Sequence, residues 1–342
     1  MRSEKDAALC GHRAPPDRAF GMMIGMDQVP SLEEILAGLH VVALPMRVRF
    51  RGITVREVAL FEGPAGWGEF GAFPEYGPAE AVHWLAAGIE AAYVPAPTPL
   101  RNRIPVNATV PAVDPARVPE VLGRFPGAQT AKVKVAEPGQ SLADDVARVD
   151  AVRALVPKVR VDANGAWSVA EAAAAAAALG RLEYLEQPCA TVEELATLRR
   201  RIGTPIAADE SIRKADDPFR VVALRAADVA VVKVAPLGGV RRLLDIAGRI
   251  GIPVVVSSAL DSAVGMSRGL LAAACLPELR YACGLGTGGL FVEDVVDAAV
   301  PVDGCLPVGP VVPDPARLSG LAAPADRRQW WIDRIRDCYQ RL

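Results

Sequence analysis

The chain has 342 residues, 51% of them hydrophobic and 23% charged, enough apolar material for a large core and too little charge for a disordered chain. A formal net charge of -2 leaves no basic field for nucleic acid or a membrane surface, and no apolar run reaches the ~18 residues of a membrane span. The expected partner is therefore a small-molecule substrate, handled by a monomer or small homo-oligomer.

Residues 1–26 are polar and without periodicity; they read as a disordered N-terminal extension, with Met22, Met23 or Met26 as candidate starts. From about residue 38 the pattern alternates. His40–Phe50, Ile53–Glu62 and Gly66–Phe70 read as strands, parted by Arg51-Gly52 and Gly63-Pro64-Ala65-Gly66. Pro78–Tyr93, a proline after a glycine at its start, reads as a helix. The proline-rich stretch Val94–Pro105 reads as a linker.

Beyond it, short apolar strands alternate with helical runs. The strands are Val106–Val110, Thr130–Val135, Val159–Asp162, Glu183–Glu186, Ile206–Asp209, Val229–Lys233, Pro253–Ser257 and Arg280–Cys283. The plainest helix is Val169–Leu179, with seven consecutive alanines. Such alternation predicts a parallel sheet, and eight strands are the number that closes a (β/α) barrel. A doubly wound open sheet is the alternative. The tail from Asp314 is partly helical and offers Trp330 and Trp331 for packing on another domain.

Six cysteines are scattered without a C-x-x-C pair, which suits the reduced thiols of a cytoplasmic enzyme. The three histidines, His12, His40 and His83, all fall in the first quarter. Chemistry in the remaining chain must run on carboxylates and lysines.

The strand ends supply them. Asp162, Glu186, Asp209 and Lys233 each close a strand, at separations of about 24, 23 and 24 residues, roughly one βα unit each. One strand earlier, Lys132 and Lys134 alternate with Ala131, Val133 and Val135, so both lysines share the inward face. A lone charge at a strand end is usually just emerging into water. A set in register on consecutive strands is not, because charge inside a barrel is costly unless paired or metal-bound.

Three carboxylates, Asp162, Glu186 and Asp209, make an all-oxygen donor set that favours Mg²⁺, with Mn²⁺ possible, over zinc. Such an ion neutralises a substrate carboxylate and eases removal of the neighbouring α-proton. Lys134 is the candidate base, its pKa expected to be pushed down by the metal and by its cationic neighbours Lys132 and Arg160. Lys233 would face the substrate from the opposite side. Asn164 is expected to orient the site and Glu210 to support it from behind. Ser257 and Ser258, ending the seventh strand, are candidate donors to substrate. Gly284-Leu285-Gly286-Thr287-Gly288-Gly289 matches a dinucleotide fingerprint, but it follows the last strand rather than the first. The amides at Gly284 and Gly286 are better read as substrate contacts. Gly71–Gly77, with Phe73 and Tyr76, is a candidate lid over the mouth.

The order Lys-x-Lys, Asp162-x-Asn164, Glu186-Gln187-Pro188, Asp209-Glu210-Ser211, then Lys233, resembles the enolase superfamily, in its muconate-cycloisomerase-type branch. The resemblance implies a (β/α)7β TIM-type barrel with an α+β capping domain. Residues 27–100 would form the cap and 101–295 the barrel, with 296–342 packing back on the cap. Further motifs, Arg49–Ile53, Gly63–Phe70, Val161–Trp167 and Ser257–Ser262, are similar to branch members that dehydrate a succinyl-substituted cyclohexadiene carboxylate. In that reaction Lys134 would take the α-proton and pass it to the departing hydroxyl on the same face, while Lys233 stays protonated. The competing readings are a 1,1-proton transfer, as in a succinylamino-acid racemase or dipeptide epimerase, and an inactive metal-binding protein. The intact lysine pair argues against the last.

Overall fold

The structure, a computed structural model, describes residues 29–213 and 218–342. The expected disordered extension 1–26, with its candidate starts, lies outside the described residues. Leu32–Ala37 forms a helix that alternation does not pick out. Its signal is a capping box, in which Ser31 Oγ accepts from the Glu34 amide and the Glu34 carboxylate accepts from the Ser31 amide.

Three antiparallel strands follow: β1 (His40–Phe50), β2 (Ile53–Gly63) and β3 (Gly66–Phe70). The helix Pro78–Tyr93 lies directly on β3, a closeness that glycines permit. A Cβ on Gly68 would stand 2.1 Å from the Gly88 carbonyl oxygen, so neither backbone can carry a side chain there. Phe61, Phe70 and Trp84 fill the core between sheet and helix, and the C-terminal helix Ala325–Tyr339 adds Trp331 and Ile335 to it. The Trp331 ring meets Phe70 edge-on at 5.5 Å while its indole N–H donates to Glu57 at 3.0 Å.

The stretch read as a linker ends in a strand, β4 (Arg103–Pro105). Seven parallel strands then follow in chain order: β5 (Ala108–Val110), β6 (Thr130–Lys134), β7 (Lys158–Asp162), β8 (Leu185–Glu186), β9 (Ile206–Ala208), β10 (Val229–Val232) and β11 (Val254–Val256). Their order shows no reversal, which a doubly wound sheet would need. Arg280–Cys283 is not a strand. Only Cys283 and Gly284 reach bridging register, pairing with Val106 and Ser257, so the ring closes on two residues. The missing partner for β4 is β12 (Cys305–Pro307), antiparallel to it; no local pattern in three residues announces such a pair.

Alternation sorts the two sides of the sheet. Ala131, Val133, Val159 and Val161 join the large core beneath the outer helices. Tyr184, Ala207, Val229, Val231 and Val255 form a separate cluster, with Tyr281 against it, made by the inward faces of the strands. The Val169–Leu179 helix starts on a capping box between Ser168 and Glu171 and buries Ala172, Ala175, Ala176 and Leu179, one face at helical spacing. Among the described residues, the cysteines are free thiols, and no helix is long and apolar enough to cross a membrane.

Candidate active site

Strand register brings the charged residues to one level. Lys134 lies beside Asp162 and Asp162 beside Glu186 as neighbours across β6, β7 and β8. Asp209, Lys233 and Ser257 are the first residues after β9, β10 and β11. All therefore stand at the C-terminal mouth of the ring, where short inward-pointing side chains converge.

There they pair with one another. Lys132 Nζ donates to Glu186 at 2.6 Å and lies 3.2 Å from Asp162. Lys134 Nζ donates to the same Asp162 oxygen and to Asn164 Oδ1 at 2.6 Å. Lys233 Nζ donates to Asp209 Oδ2 at 2.6 Å, and Arg213 Nε donates to Asp209 Oδ1 at 3.0 Å. Arg213 also holds Glu210, whose carboxylate accepts from Asn164 Nδ2 at 3.2 Å. Four cations thus interleave with four carboxylates. Lys132 stands between Asp162 and Glu186, and Asp209 is held by its own pair of cations, Lys233 and Arg213. Among the described residues, no three acidic, histidine or cysteine side chains are gathered to hold a metal ion.

Arg213 is a site residue that sequence reasoning missed, whereas Tyr76, named there only in a candidate lid, and Gln187, named only in the Glu-Gln-Pro signature, take roles it did not foresee. Gln187 adopts a left-handed φ of +36°, and its side-chain oxygen accepts from the amides of Asp209 and Ser211 at 3.0 and 3.1 Å. Its amide nitrogen donates to Ser211 Oγ at 2.8 Å. It therefore latches the end of β8 to the loop that carries Asp209. The Glu-Gln-Pro signature is visible in the sequence, but this role is not.

The cavity at the mouth is only about 40 Å³ and is lined by Lys132, Lys134, Asp162, Asn164, Lys233, Ser257, Ser258 and Gly284, with Phe50 and Arg51 from the β1–β2 turn. That is room for a few water molecules. Glu186 and Asp209 lie fully buried beneath it. Ser258 shares a hydrogen bond with Thr287 at 2.6 Å, and Ser257 donates to the Gly284 carbonyl at 3.3 Å. Gly286 lies elsewhere, on a separate cavity of about 340 Å³ beside Phe125 and Gly289. Arg160 is inside the barrel but not beside Lys134. It pairs with Glu183 at 2.6 Å, stacks over Tyr184 at 4.6 Å and donates to Asn107 at 3.1 Å.

Burial and charge set the protonation pattern. Burial disfavours the ammonium of Lys132, yet Glu186 and Asp162 beside it outweigh that and hold its pKa above the usual lysine range. Burial, with Arg213 adding to it, lowers that of Lys233 against the pull of Asp209. Asp162 is pulled well below the usual carboxylate range, its burial overcome by Lys134 and Lys132. Glu186 goes the other way, because burial dominates and Lys132 only partly offsets it. Glu186 Oε2 is buried with no hydrogen-bond partner.

Another buried carboxylate, outside this ring of charge, joins cap and barrel. Glu69 of β3 accepts from the amides of Ser262 and Gly265, each at 3.1 Å, and from Ser262 Oγ, at the start of the helix Ala263–Cys275. Burial and the nearby Asp261 push its pKa up to about 8, against Ser262 and Arg56. The folded state then holds a proton that the unfolded chain has already released. Stability is full below the ordinary glutamate pKa and falls as pH rises towards 8, by at most about 1.4 kcal/mol per pH unit. Urea unfolding between about pH 5 and about pH 8 is expected to show this slope, and Glu69→Gln to flatten it. An equal slope in both proteins contradicts the assignment.

A capped eight-position β/α ring with lysines and carboxylates alternating around its mouth defines a class of proton-abstracting barrel enzymes. Two family models match accordingly, enolase N-terminal domain-like over residues 41–92 and enolase C-terminal domain-like over 123–321. The o-succinylbenzoate synthase of Mycolicibacterium smegmatis is 74% identical over 314 residues, 91% of this chain and 98% of its own. That of Mycobacterium leprae is 71% identical over 317 residues, 92% of this chain and 95% of its own. The muconate lactonizing enzyme of Pseudomonas fluorescens, solved with muconolactone, superposes with a TM-score of 0.70 at 22% identity, over 84% of this chain and 98% of that one. The chain belongs to the o-succinylbenzoate synthase family of the enolase superfamily.

Proposed function

We propose that the site dehydrates 2-succinyl-6-hydroxy-2,4-cyclohexadiene-1-carboxylate to 2-succinylbenzoate, a step of menaquinone biosynthesis, with Lys134 as the acid/base group. The observation that carries this reading is the placement of Lys134 and Lys233 on opposite arcs of one buried ring of charge, each held by a different carboxylate.

Asp162, Glu186 and Asp209 are the residues we assign to a divalent metal, with Mg²⁺ the expected ion. An all-oxygen donor set fits it, and so does the orphaned Glu186 Oε2, a buried anionic oxygen lacking a partner. When bound, the ion supplies positive charge against the substrate carboxylate as negative charge builds up on it. With Lys134 neutral as the base, Lys132, Lys233 and Arg213 face Asp162, Glu186, Asp209 and Glu210, so a divalent cation leaves one net positive charge, which the ring carboxylate matches.

Lys134 Nζ takes the proton from the carbon bearing the ring carboxylate, which requires the neutral amine. The electron pair of that C–H bond moves onto the ring carboxylate group, then returns to complete the aromatic ring as the C–O bond to the hydroxyl breaks. The same Nζ returns the proton, and water leaves from the face on which the proton was taken. Asn164 Oδ1 keeps the amine aimed, Lys132 adds positive charge from the adjacent position, and Lys233 opposes the negative charge from the far side without exchanging a proton. We assign Ser257, Ser258 and Gly284 to the substrate wall, with Arg160 and Glu210 supporting from behind. We likewise read residues 27–100 as the cap, 101–295 as the barrel and 296–342 as a segment returning to the cap; one apolar core is built mainly by the strands and helices of 104–285, and the other gathers 35–92 with 318–338 and with Ala259–Val264 and Leu290–Val295 where the barrel meets the cap.

Two facing lysines are also what a 1,1-proton transfer needs, and N-succinylamino acids or dipeptides are its candidate substrates. Lys233→Arg separates the two. Arginine keeps the charge but is too basic to exchange a proton. Dehydration is expected to fall no more than about tenfold, while any racemisation of an N-succinylamino acid stops. Equal loss of both activities would assign Lys233 a proton-transfer role and sink the one-base reading.

A further inference from the structure

Arg213 is buried, its side chain 3% exposed, and its three nitrogens go to three different places. Nε donates to Asp209, Nη2 to Glu210, and Nη1 to the hydroxyl of Tyr76 at 3.3 Å. Tyr76 comes from the loop 71–77 of the cap. Its hydroxyl also accepts from Arg51 Nη2 at 3.2 Å, at the β1–β2 turn that lines the cavity. Its carbonyl accepts from Arg334 of the C-terminal helix at 2.7 Å, and its ring packs against Phe73 and Trp84. Both oxygens of Asp209 are therefore taken, Oδ1 by a guanidinium that the cap holds and Oδ2 by Lys233.

We propose that Tyr76 and Arg213 are positioning residues that make the orientation of Asp209, and through it the reach of Lys233, depend on the seating of the cap. A planar guanidinium bound at all three nitrogens cannot rotate independently. If Tyr76 withdraws with its loop, Arg213 loses one of three anchors, and the carboxylate it aligns gains freedom. A closed cap thus presets a metal-holding carboxylate, whereas an open one loosens it. The proposal rests on the assignment of Asp209 to the metal.

The test reads metal binding directly, without substrate. Mn²⁺ affinity is measured by electron paramagnetic resonance on the full chain, with thermal unfolding followed in parallel. Tyr76→Phe keeps the ring and removes only the hydroxyl; it is expected to weaken Mn²⁺ binding about 3–10-fold with little change in melting. Arg213→Gln is expected to weaken it about 10–100-fold, the range for partners that orient metal ligands. Arg213→Lys keeps a charge on Asp209 but cannot also hold Tyr76, so it should recover part of that loss. Adding Tyr76→Phe to Arg213→Lys should then change nothing further. Wild-type affinity in Tyr76→Phe, or losses that multiply in the double variant, overturns the proposal. A protein that shows this coupling yet dehydrates no substrate leaves the proposal standing and removes only the reading of the reaction.

Discussion

Replacing Lys134 with alanine is expected to lower kcat for dehydration by about 10⁴-fold, the upper end of what one general acid–base group contributes, because the same nitrogen serves both proton transfers. KM should change little. Folding should survive, since Asp162 keeps Lys132 at 3.2 Å when Lys134 is gone. Lys134→Arg is the sharper variant. It retains the positive charge over Asp162 but supplies no neutral amine near neutral pH, so it should be as inactive as alanine. If arginine restores turnover, Lys134 acts only as a charge, and the base lies elsewhere.

Much of this centre is legible in the amino-acid sequence. Asp162, Glu186, Asp209 and Lys233 recur at one βα unit and end apolar strands, a pattern that strand geometry alone places at one level. Lys132 and Lys134 alternate with small apolar residues, which dictates their shared face. Arg213 and Tyr76 are not legible in these roles, because their meeting depends on how a loop of the cap docks on a barrel turn 137 residues away. Arg160 illustrates the opposite error. Its inward face is as expected, yet it sits two residues before Asp162, one layer deeper, where Glu183 and Tyr184 claim it. Gly286 faces another cavity because a short advance along the loop after Cys283 turns the backbone away from the mouth. The expected eighth strand is reduced to two bridging residues, and β4 finds its partner about 200 residues later, pairings that no local window contains.

The second large effect concerns Glu186. Glu186→Gln preserves volume and a hydrogen-bond acceptor for Lys132 but removes the anionic oxygen that stands buried without a partner. Partners that merely orient a metal ligand are worth 10–100-fold in affinity, so loss of a ligand charge itself should weaken Mg²⁺ binding by more than about 100-fold. Calorimetric titration with Mg²⁺ measures this without substrate. The unfolding midpoint in metal-free buffer should change little, because relief of the Glu186 desolvation is offset by loss of its charge beside the buried Lys132, which Asp162 still holds at 3.2 Å. Unchanged Mg²⁺ affinity would remove Glu186 from the metal site.

The most direct measurement is the ultraviolet absorbance of the cyclohexadiene carboxylate mixed with purified wild-type protein, first stripped by chelator and then resupplied with Mg²⁺. The stripped protein should show slow or no change. On metal addition, diene absorbance should be lost rapidly, with 2-succinylbenzoate as the product. Folded, Mg²⁺-bound protein that leaves the diene intact would rule out this reaction.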